Sequence, residues 1–521
     1  MTEITKPMQF SQDPEICAQQ LAEHPYMRFA KEQRARQWAD PYRPHYHFSC
    51  PEGPMNDPNG LCYWQGRWHL FYQAFPPEAP IHWGHAVSED LLHWQDLPYA
   101  LHPTVEDACW SGGTLVEEDR VIAVFFGAGY GNIVAVSSDP LLLNWEKVGS
   151  IRNKEGEPYD VYDPCIWKQG EYYYSASGRA LPGVGTHGVR VQYLFRSRDL
   201  VDWEYVHPLT QGGYGTIPGD DGACPYFWPI SRDKHILLHF AHNSGAKYMI
   251  GTYDTENQRF LDCRGGEFNS AVNGSGWGGV HVPSANLAPD GSVVAVFNQA
   301  SAAFDPLGGA YQVVGLPRKL SLHGCFGDEL AESPAPDLES MRRGSVVLED
   351  IHLPAGQEVI LPGMEGNVME LQLELEAAYM LPTIDVAVLR SEDGAEATHI
   401  RVYRQRGHLN WDYFHEYGAW GGQSFDTVVA LDNTDSSLSD LAVSRAPDLR
   451  AFFLRPEEPL RLQIFVDKSI VEVFVNDQLC LATRAYPTKA DSIHVSVCAK
   501  ERDTRLVKAQ KWDYRRTVCR D

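Results

Sequence analysis

Short apolar runs come in pairs between residues 57 and 297, each pair split by glycine or a few polar residues. Leu61-Cys-Tyr-Trp64 stands with Trp68-His-Leu-Phe-Tyr-Gln73, Asp163-Pro-Cys-Ile-Trp167 with Tyr172-Tyr-Tyr-Ser175, and Pro225-Tyr-Phe-Trp228 with Ile236-Leu-Leu-His-Phe240. Ser284-Ala-Asn-Leu287 and Val293-Val-Ala-Val-Phe297 form a last pair. Runs of this length, rich in aromatic and β-branched residues and bounded by turn formers, predict antiparallel hairpins. A second pattern is interleaved with them. Ser88-Glu-Asp-Leu-Leu-His-Trp94 is echoed in Ser138-Asp-Pro-Leu-Leu-Leu-Asn-Trp145 and Ser197-Arg-Asp-Leu-Val-Asp-Trp203, and more weakly in Tyr253-Asp-Thr-Glu-Asn-Gln-Arg-Phe260. A period of roughly 50–60 residues is the size of a four-stranded propeller blade and too long for most solenoid units. The hairpins predict about five such blades, with most tryptophans packed between them.

The flanks follow other rules. Residues 13–38 predict two helical pieces, the first opened by the cap Asp13-Pro14 with Ala18, Leu21 and Ala22 at helical spacing. Pro25 interrupts them, and Met27, Ala30 and Trp38 then share a face. Packing on the propeller or against a second copy in a homo-oligomer are both open for this extension. The polar, proline-bearing stretch from Glu329 to Leu338 reads as a linker. Beyond it, Val346–Leu348, Val368–Leu375, Arg461–Val466 and Ile470–Val475 alternate as short strands, one ending at Asn476-Asp477, and predict a β-sandwich. The expected organisation is all-β: a helical extension over 1–39, a five-bladed β-propeller over 40–335 and a β-sandwich over 345–517.

In a propeller the innermost strands converge on an axial pocket, so residues opening successive blades meet there. Asp57, in the turn-like Asn56-Asp57-Pro58-Asn59-Gly60, opens one blade and is expected at the mouth of a hairpin. Asp163 opens another, and Asp220 and Asp221 precede a third at Cys224-Pro225. Carboxyl groups brought together raise at least one proton affinity, and two of them flanking one bond are the minimum for glycoside hydrolysis.

Composition narrows the partners. A formal charge of −25 opposes binding to nucleic acid or an anionic membrane. No apolar stretch is long enough to span a bilayer, and the N-terminus lacks the apolar core of a secretion signal, which predicts a cytoplasmic protein. Eleven scattered cysteines without a Cys-x-x-Cys pair fit that expectation. His235 and His239 have a metal-ligand spacing that works only on a helix. The intervening Ile-Leu-Leu reads as strand, which separates them by about 13 Å, so no metal or other cofactor is expected.

Several motifs together resemble glycoside hydrolase family 32: Met55-Asn-Asp-Pro-Asn-Gly60, Phe71-Tyr-Gln73, His82-Trp-Gly-His-Ala86, Asp90-Leu-Leu-His-Trp94, Leu97-Pro-Tyr-Ala-Leu101, Trp110-Ser-Gly112 and Val466-Asp-Lys-Ser-Ile-Val-Glu-Val-Phe474. The resemblance runs from about residue 44 onward. It implies a five-bladed propeller followed by a sandwich, and a small carbohydrate substrate carrying a fructosyl unit. It makes Asp57 the nucleophile and Asp163 the stabiliser of the transition state, with Asn56, Gln73, Trp83, Trp110 and Ser111 lining the fructose subsite. Two departures stand out. The family usually has arginine before the second aspartate, where this chain has Tyr162, and an acid/base glutamate directly before Cys-Pro, where it has Ala223.

Three readings of the alanine are open. Asp221 supplies the proton, with Asp220 and Tyr162 beside it in a rebuilt site; the glutamate has been replaced to trap substrate; or the protein binds fructosides without cleaving them. The first is favoured because Asp220 and Asp221 offer a carboxylate pair and Gly222 lets the chain bend. The expectation is retaining hydrolysis of β-fructofuranosyl linkages in sucrose or short fructo-oligosaccharides, with Asp57 and the acid about 5–5.5 Å apart. A fructosyltransferase and a hydrolase of another furanoside are the alternatives.

Overall fold

The computed structural model describes residues 2–181, 189–210, 220–242, 244–268, 279–300, 312–324, 327, 329–377, 382–404, 427–442, 446–455 and 457–517. It is almost wholly β. Between Met55 and Pro334 the strands pair into five antiparallel sheets, taken one after another along the chain. Their first strands are Met55–Trp64, Cys109–Val116, Tyr162–Gln169, Ala223–Pro229 and Gly279–Leu287. Each of these touches the first strand of the next sheet, and Gly279–Leu287 returns to touch Met55–Trp64. Arg342 to Tyr514 then forms two further six-stranded antiparallel sheets. Their apposed faces bury Leu371, Leu373, Ile464, Val473, Val386, Val497 and their neighbours in one apolar layer. Among the described residues no helix is long and apolar enough to cross a membrane.

The repeated segment of serine, aspartate, leucine and tryptophan is a turn joining the third and fourth strands of a sheet. Asp90, Asp139 and Asp199 accept the backbone N–H groups that follow them, two or three each. Leu91, Leu142 and Leu200 take φ of 67°, 51° and 70°. The indole of Trp94, Trp145 and Trp203 donates to the carbonyl of that leucine at 3.1, 2.8 and 2.9 Å. Asp254 caps Glu256 and Asn257 in the same way, and Gln258 takes φ 53°, so the weaker fourth copy is the same device without its tryptophan. A buried leucine in the left-handed region is uncommon, and the cap with the indole bond is what holds it there.

Helices α1 (Pro14–Glu23) and α2 (Pro25–Gln37) start where the prolines predict. Asp13 caps α1 through the N–H groups of Glu15 and Ile16, and the His24 ring caps α2 through Tyr26. The expected faces are largely those observed: Leu21 packs on a buried cluster, and Ala30 is buried with Met27 and Trp38 packed against the same core as it, while Ala18 and Ala22 are exposed. α1 has no fully buried residue, and it is Cys17 and Leu21 that lean on Phe10, Val87, Leu97 and Leu143. α2 buries Tyr26, Ala30 and Arg34, because the Arg34 guanidinium grips Asp96 of the first sheet at 2.7 and 3.0 Å. The predicted linker also starts too early. Glu329–Pro334 is the outer strand of the fifth sheet, held in register by Glu332, which pairs with the buried Arg318 and with Arg450.

The Val466–Phe474 motif belongs to the junction between the two halves. Asp467 accepts the N–H groups of His45, Tyr46 and His47 at 2.7, 2.8 and 3.0 Å. The His47 ring bridges Asp467 and Glu472 at 2.9 Å on each side, and Glu472 also meets Arg318. Burial pulls the His47 imidazole down, but its hydrogen bonds to the two carboxylates outweigh this and lift it to about 9. Stability from the protonated ring is therefore complete below its unfolded value and fades as pH climbs through about 9. Asp467→Asn leaves buried donors facing an amide and should cost about 3–5 kcal/mol in urea unfolding. His47→Gln should flatten the loss of stability between neutral pH and pH 10 in the same measurement.

Candidate active site

Each of the five first strands opens with a break in register. The breaks fall between Met55 and Pro58, Cys109 and Gly112, Tyr162 and Cys165, Ala223 and Tyr226, and Val280 and Pro283. A bulge bends its strand and re-aims the side chains within it. Asn56, Asp57, Trp110, Ser111, Asp163 and Cys224 all lie in these breaks. The aspartate motif is therefore a bulged stretch inside a ten-residue strand, not the turn at a hairpin mouth expected from its composition. The hairpin turn comes later, at Gln65 and Gly66, both at positive φ. Gly60 is required where it stands: at φ 48°, with a Cβ that would fall 2.7 Å from Thr114 Cγ2.

The bulges bring Asp57 and Asp163 together. Both are 9 % exposed, and one thiol reaches both: Cys224 Sγ lies 3.7 Å from Asp57 Oδ2 and 3.4 Å from Asp163 Oδ2. A thiol has one hydrogen, so it serves one carboxylate at a time. Asp163 and Cys224 hold φ of 51° and 48°. Left-handed backbone at such residues costs of order 1–3 kcal/mol each and is characteristic of sites where side-chain direction matters.

Asp57 is held from one side. Its Oδ2 accepts Ser111 Oγ at 2.5 Å and Gln73 Nε2 at 2.9 Å, and Gln73 Nε2 also reaches Ser111 Oγ at 2.7 Å. Gln73 Oε1 is in turn held by Asn56 Nδ2 at 3.0 Å, and Asn56 Oδ1 by Gln312 Nε2 at 2.6 Å. Gln312 accepts from Asn298, which anchors to the Val282 N–H. This chain of amides, reaching the fifth sheet through Gln312 and Asn298, was not anticipated from sequence. Burial raises the Asp57 carboxyl, against the Ser111 hydrogen bond that lowers it. Among the described residues Asp163 accepts only the Cys224 thiol, and burial with the neighbouring Asp57 charge pushes it up to about 7.

The remaining expected residues divide. Trp110 is partly exposed at the bulge, whereas Trp83 is fully buried against Phe71 and Phe125. The Trp83 indole donates to the Trp110 carbonyl at 2.7 Å, so it supports the wall from behind instead of lining it. Asp220 does not line the site either. It is fully buried, bonded to Ser244 Oγ at 2.6 Å with Lys247 Nζ at 3.9 Å, and presents nothing to a pocket. Ala223 is likewise fully buried, in an apolar cluster with Cys224, Phe240, Val282 and Tyr162.

Asp221 requires the largest revision. Its Oδ2 accepts the Tyr162 hydroxyl at 2.7 Å and meets His242 Nδ1 at 2.6 Å, and its Oδ1 accepts the His242 N–H at 3.2 Å. Burial works to raise it, but the His242 and Tyr162 contacts prevail and hold the carboxyl below its ordinary value. A carboxyl kept ionised is a poor proton donor at neutral pH. Asp220 and Asp221 do not form the carboxylate pair expected of them, because Asp220 turns into the core. His242, absent from the sequence-derived set, completes this corner. Asp221 and His242 lie just beyond the paired ends of one hairpin, whose last pair is Ala223 with Phe240, a proximity that sequence spacing does not reveal.

Profiles of the glycosyl hydrolases family 32 N-terminal domain and of the family 32 C-terminal domain match residues 47–334 and 337–513. The chain belongs to glycosyl hydrolase family 32. It is 27 % identical to a cell wall β-fructofuranosidase of Pisum sativum, over 86 % of this chain and 90 % of that one. It is equally similar to a raffinose invertase of Escherichia coli, over 90 % and 94 %. Its fold is similar to fructan 1-exohydrolase IIa from Cichorium intybus, with a TM-score of 0.76 at 21 % identity over 92 % and 99 % of the two chains. Sucrose-6-phosphate hydrolase from Lactobacillus gasseri gives 0.72 at 19 %, over 98 % and 100 %.

The raised Asp163 value has a consequence for stability. A carboxyl whose folded value exceeds its unfolded one stabilises the fold at low pH, and that contribution is lost as pH rises through about 7. Asp163→Asn should therefore raise Tm at pH 8 relative to the parent, by more than at pH 4. Equal shifts at the two pH values in a calorimetric scan would refute the buried-charge account.

Proposed function

We propose that this family 32 member hydrolyses β-fructofuranosyl linkages in sucrose or short fructo-oligosaccharides with retention at the anomeric carbon. It does so on a closed five-bladed propeller backed by a β-sandwich. The cyclic contacts of the five first strands support the closed propeller, and family membership supports the reaction. The observation that carries the reading is the pairing of Asp57 and Asp163 across one thiol in a buried recess.

The two aspartates are made unequal by their surroundings. Asp57, with Ser111 and Gln73 donating to one oxygen, is the more readily ionised and attacks the anomeric carbon. Those donors also fix its direction, so attack needs little reorganisation. The bond to Asp57 forms as the glycosidic C–O bond breaks, giving a fructosyl ester and a leaving alcohol that takes up a proton. Asp163, on the other side of the shared Cys224 thiol, stabilises the positive charge that develops on the ring. Water then attacks the ester, releases fructose and restores the Asp57 carboxylate.

Ala223 favours a second reading, a fructoside-binding protein without turnover, because a buried methyl group transfers no proton. The two readings separate on incubation with sucrose and with inulin- and levan-type oligosaccharides. Hydrolysis predicts released fructose, and trapping in methanol gives methyl β-fructofuranoside as the first product. Asp57→Ala should lower kcat by at least about 10⁴-fold while the variant still binds sucrose. Saturable binding by the parent with no fructose formed would establish the binding protein instead.

A further inference from the structure

We infer that His242, oriented by Asp221, is the proton donor of this active site and takes the place of the carboxyl that Ala223 cannot provide. The inference rests on the hydrolytic reading above and names its missing group. His242 is anchored by its own backbone and by one ring nitrogen: its N–H and Nδ1 both engage the Asp221 carboxylate, at 3.2 and 2.6 Å. Nε2 is therefore the nitrogen left for a substrate. The His242 side chain is 54 % exposed while that of Asp221 is 15 % exposed, so the ring stands at the open rim with its partner behind it. The Phe240 ring, 5.3 Å away, supports its inner side.

The charges around the ring favour a proton on it. Asp221 hydrogen bonds to it, and against the opposing effect of burial this carboxylate, with Asp163 and Asp57, lifts the imidazole to about 8. Tyr162 donates its hydroxyl to the same Asp221 oxygen and keeps that carboxylate ionised. Arg179, 5.8 Å from the Tyr162 ring centre, is committed to Asp160 at 2.7 Å. The tyrosine that replaces the family's usual arginine thus belongs to the donor assembly. Tyr162 and Ala223 are two departures of one site: the carboxyl acid is gone, and its neighbour now holds the carboxylate that orients a histidine.

The proton balance is complete. As Asp57 bonds to the anomeric carbon, the glycosidic bond breaks and its electron pair goes to the leaving oxygen, which takes the proton from His242 Nε2. The neutral imidazole then removes a proton from the incoming water as its oxygen displaces the Asp57 ester. Fructose, the Asp57 carboxylate and the imidazolium are restored together. Asp221 touches no reacting atom and is a positioning residue.

The test compares two leaving groups. With His242→Gln, kcat/KM for sucrose should fall roughly 10²–10⁴-fold, the usual contribution of general acid catalysis. The first release of nitrophenolate from p-nitrophenyl β-fructofuranoside, which needs no protonation, should stay close to the parent rate. Turnover of that substrate should slow at the second step and recover with added azide, yielding fructosyl azide. The basic limb of the parent's sucrose profile should lie near pH 8, and Asp221→Asn should move it to lower pH without abolishing turnover. Parent-like sucrose cleavage by His242→Gln with an unchanged basic limb would overturn the assignment. So would equal losses on both substrates with no azide recovery, which a purely structural role predicts. A parent that releases fructose from no β-fructofuranoside would instead sink the hydrolytic reading itself, and the donor with it.

Discussion

Asp57 and Asp163 are buried against one thiol, and burial favours the protonated form of both. Two carboxylates at close quarters in a poorly solvated recess cannot both be ionised without compensation. Compensation is supplied unevenly. Asp57 has a serine hydroxyl and a glutamine amide on one oxygen, Asp163 has among the described residues only a shared thiol, and His242 adds positive charge nearby. That inequality separates a group that ionises readily from one that resists, and a nucleophile and its partner emerge from two residues of the same type.

The fold provides the crowding. Side chains from all five sheets meet because each first strand is bulged at its beginning, where it faces its neighbours. A regular strand would direct successive side chains to opposite faces and leave half of these groups pointing into the packing between sheets. The left-handed backbone at Asp163 and Cys224 is strain retained at this point, and the apolar layers around it keep the geometry fixed. Farther out, the turn leucines held by an aspartate cap and an indole bond repeat one solution to joining the outer strands.

The sandwich contributes through a clamp, and none of its described residues enters the cluster around Asp57 and Asp163. Asp467 and Glu472 grip the segment from His45 to His47 just before the first strand, and Glu472 and Arg450 join Arg318 and Glu332 of the fifth sheet. The first and last sheets are thereby tied to the same partner. The amide chain from Asn56 through Gln312 to Asn298 likewise ties the first sheet to the fifth on the site side.

The sequence by itself determined the repeat, the strand pairs, the helix starts at Pro14 and Pro25, and the identity of Asp57 and Asp163 as candidates. These follow from local rules: alternation, turn chemistry and proline placement act within a few residues of one another. Only the tertiary structure decided which polar residues face the recess. Trp83 and Asp220 carry the right chemistry but are turned into the interior, Asp221 is held ionised, and His242 enters because the paired strands of one hairpin end beside Asp221. Side-chain direction at a bulge and proton affinity in a buried cluster depend on groups up to 256 residues apart, as between Asn56 and Gln312. No local pattern encodes them.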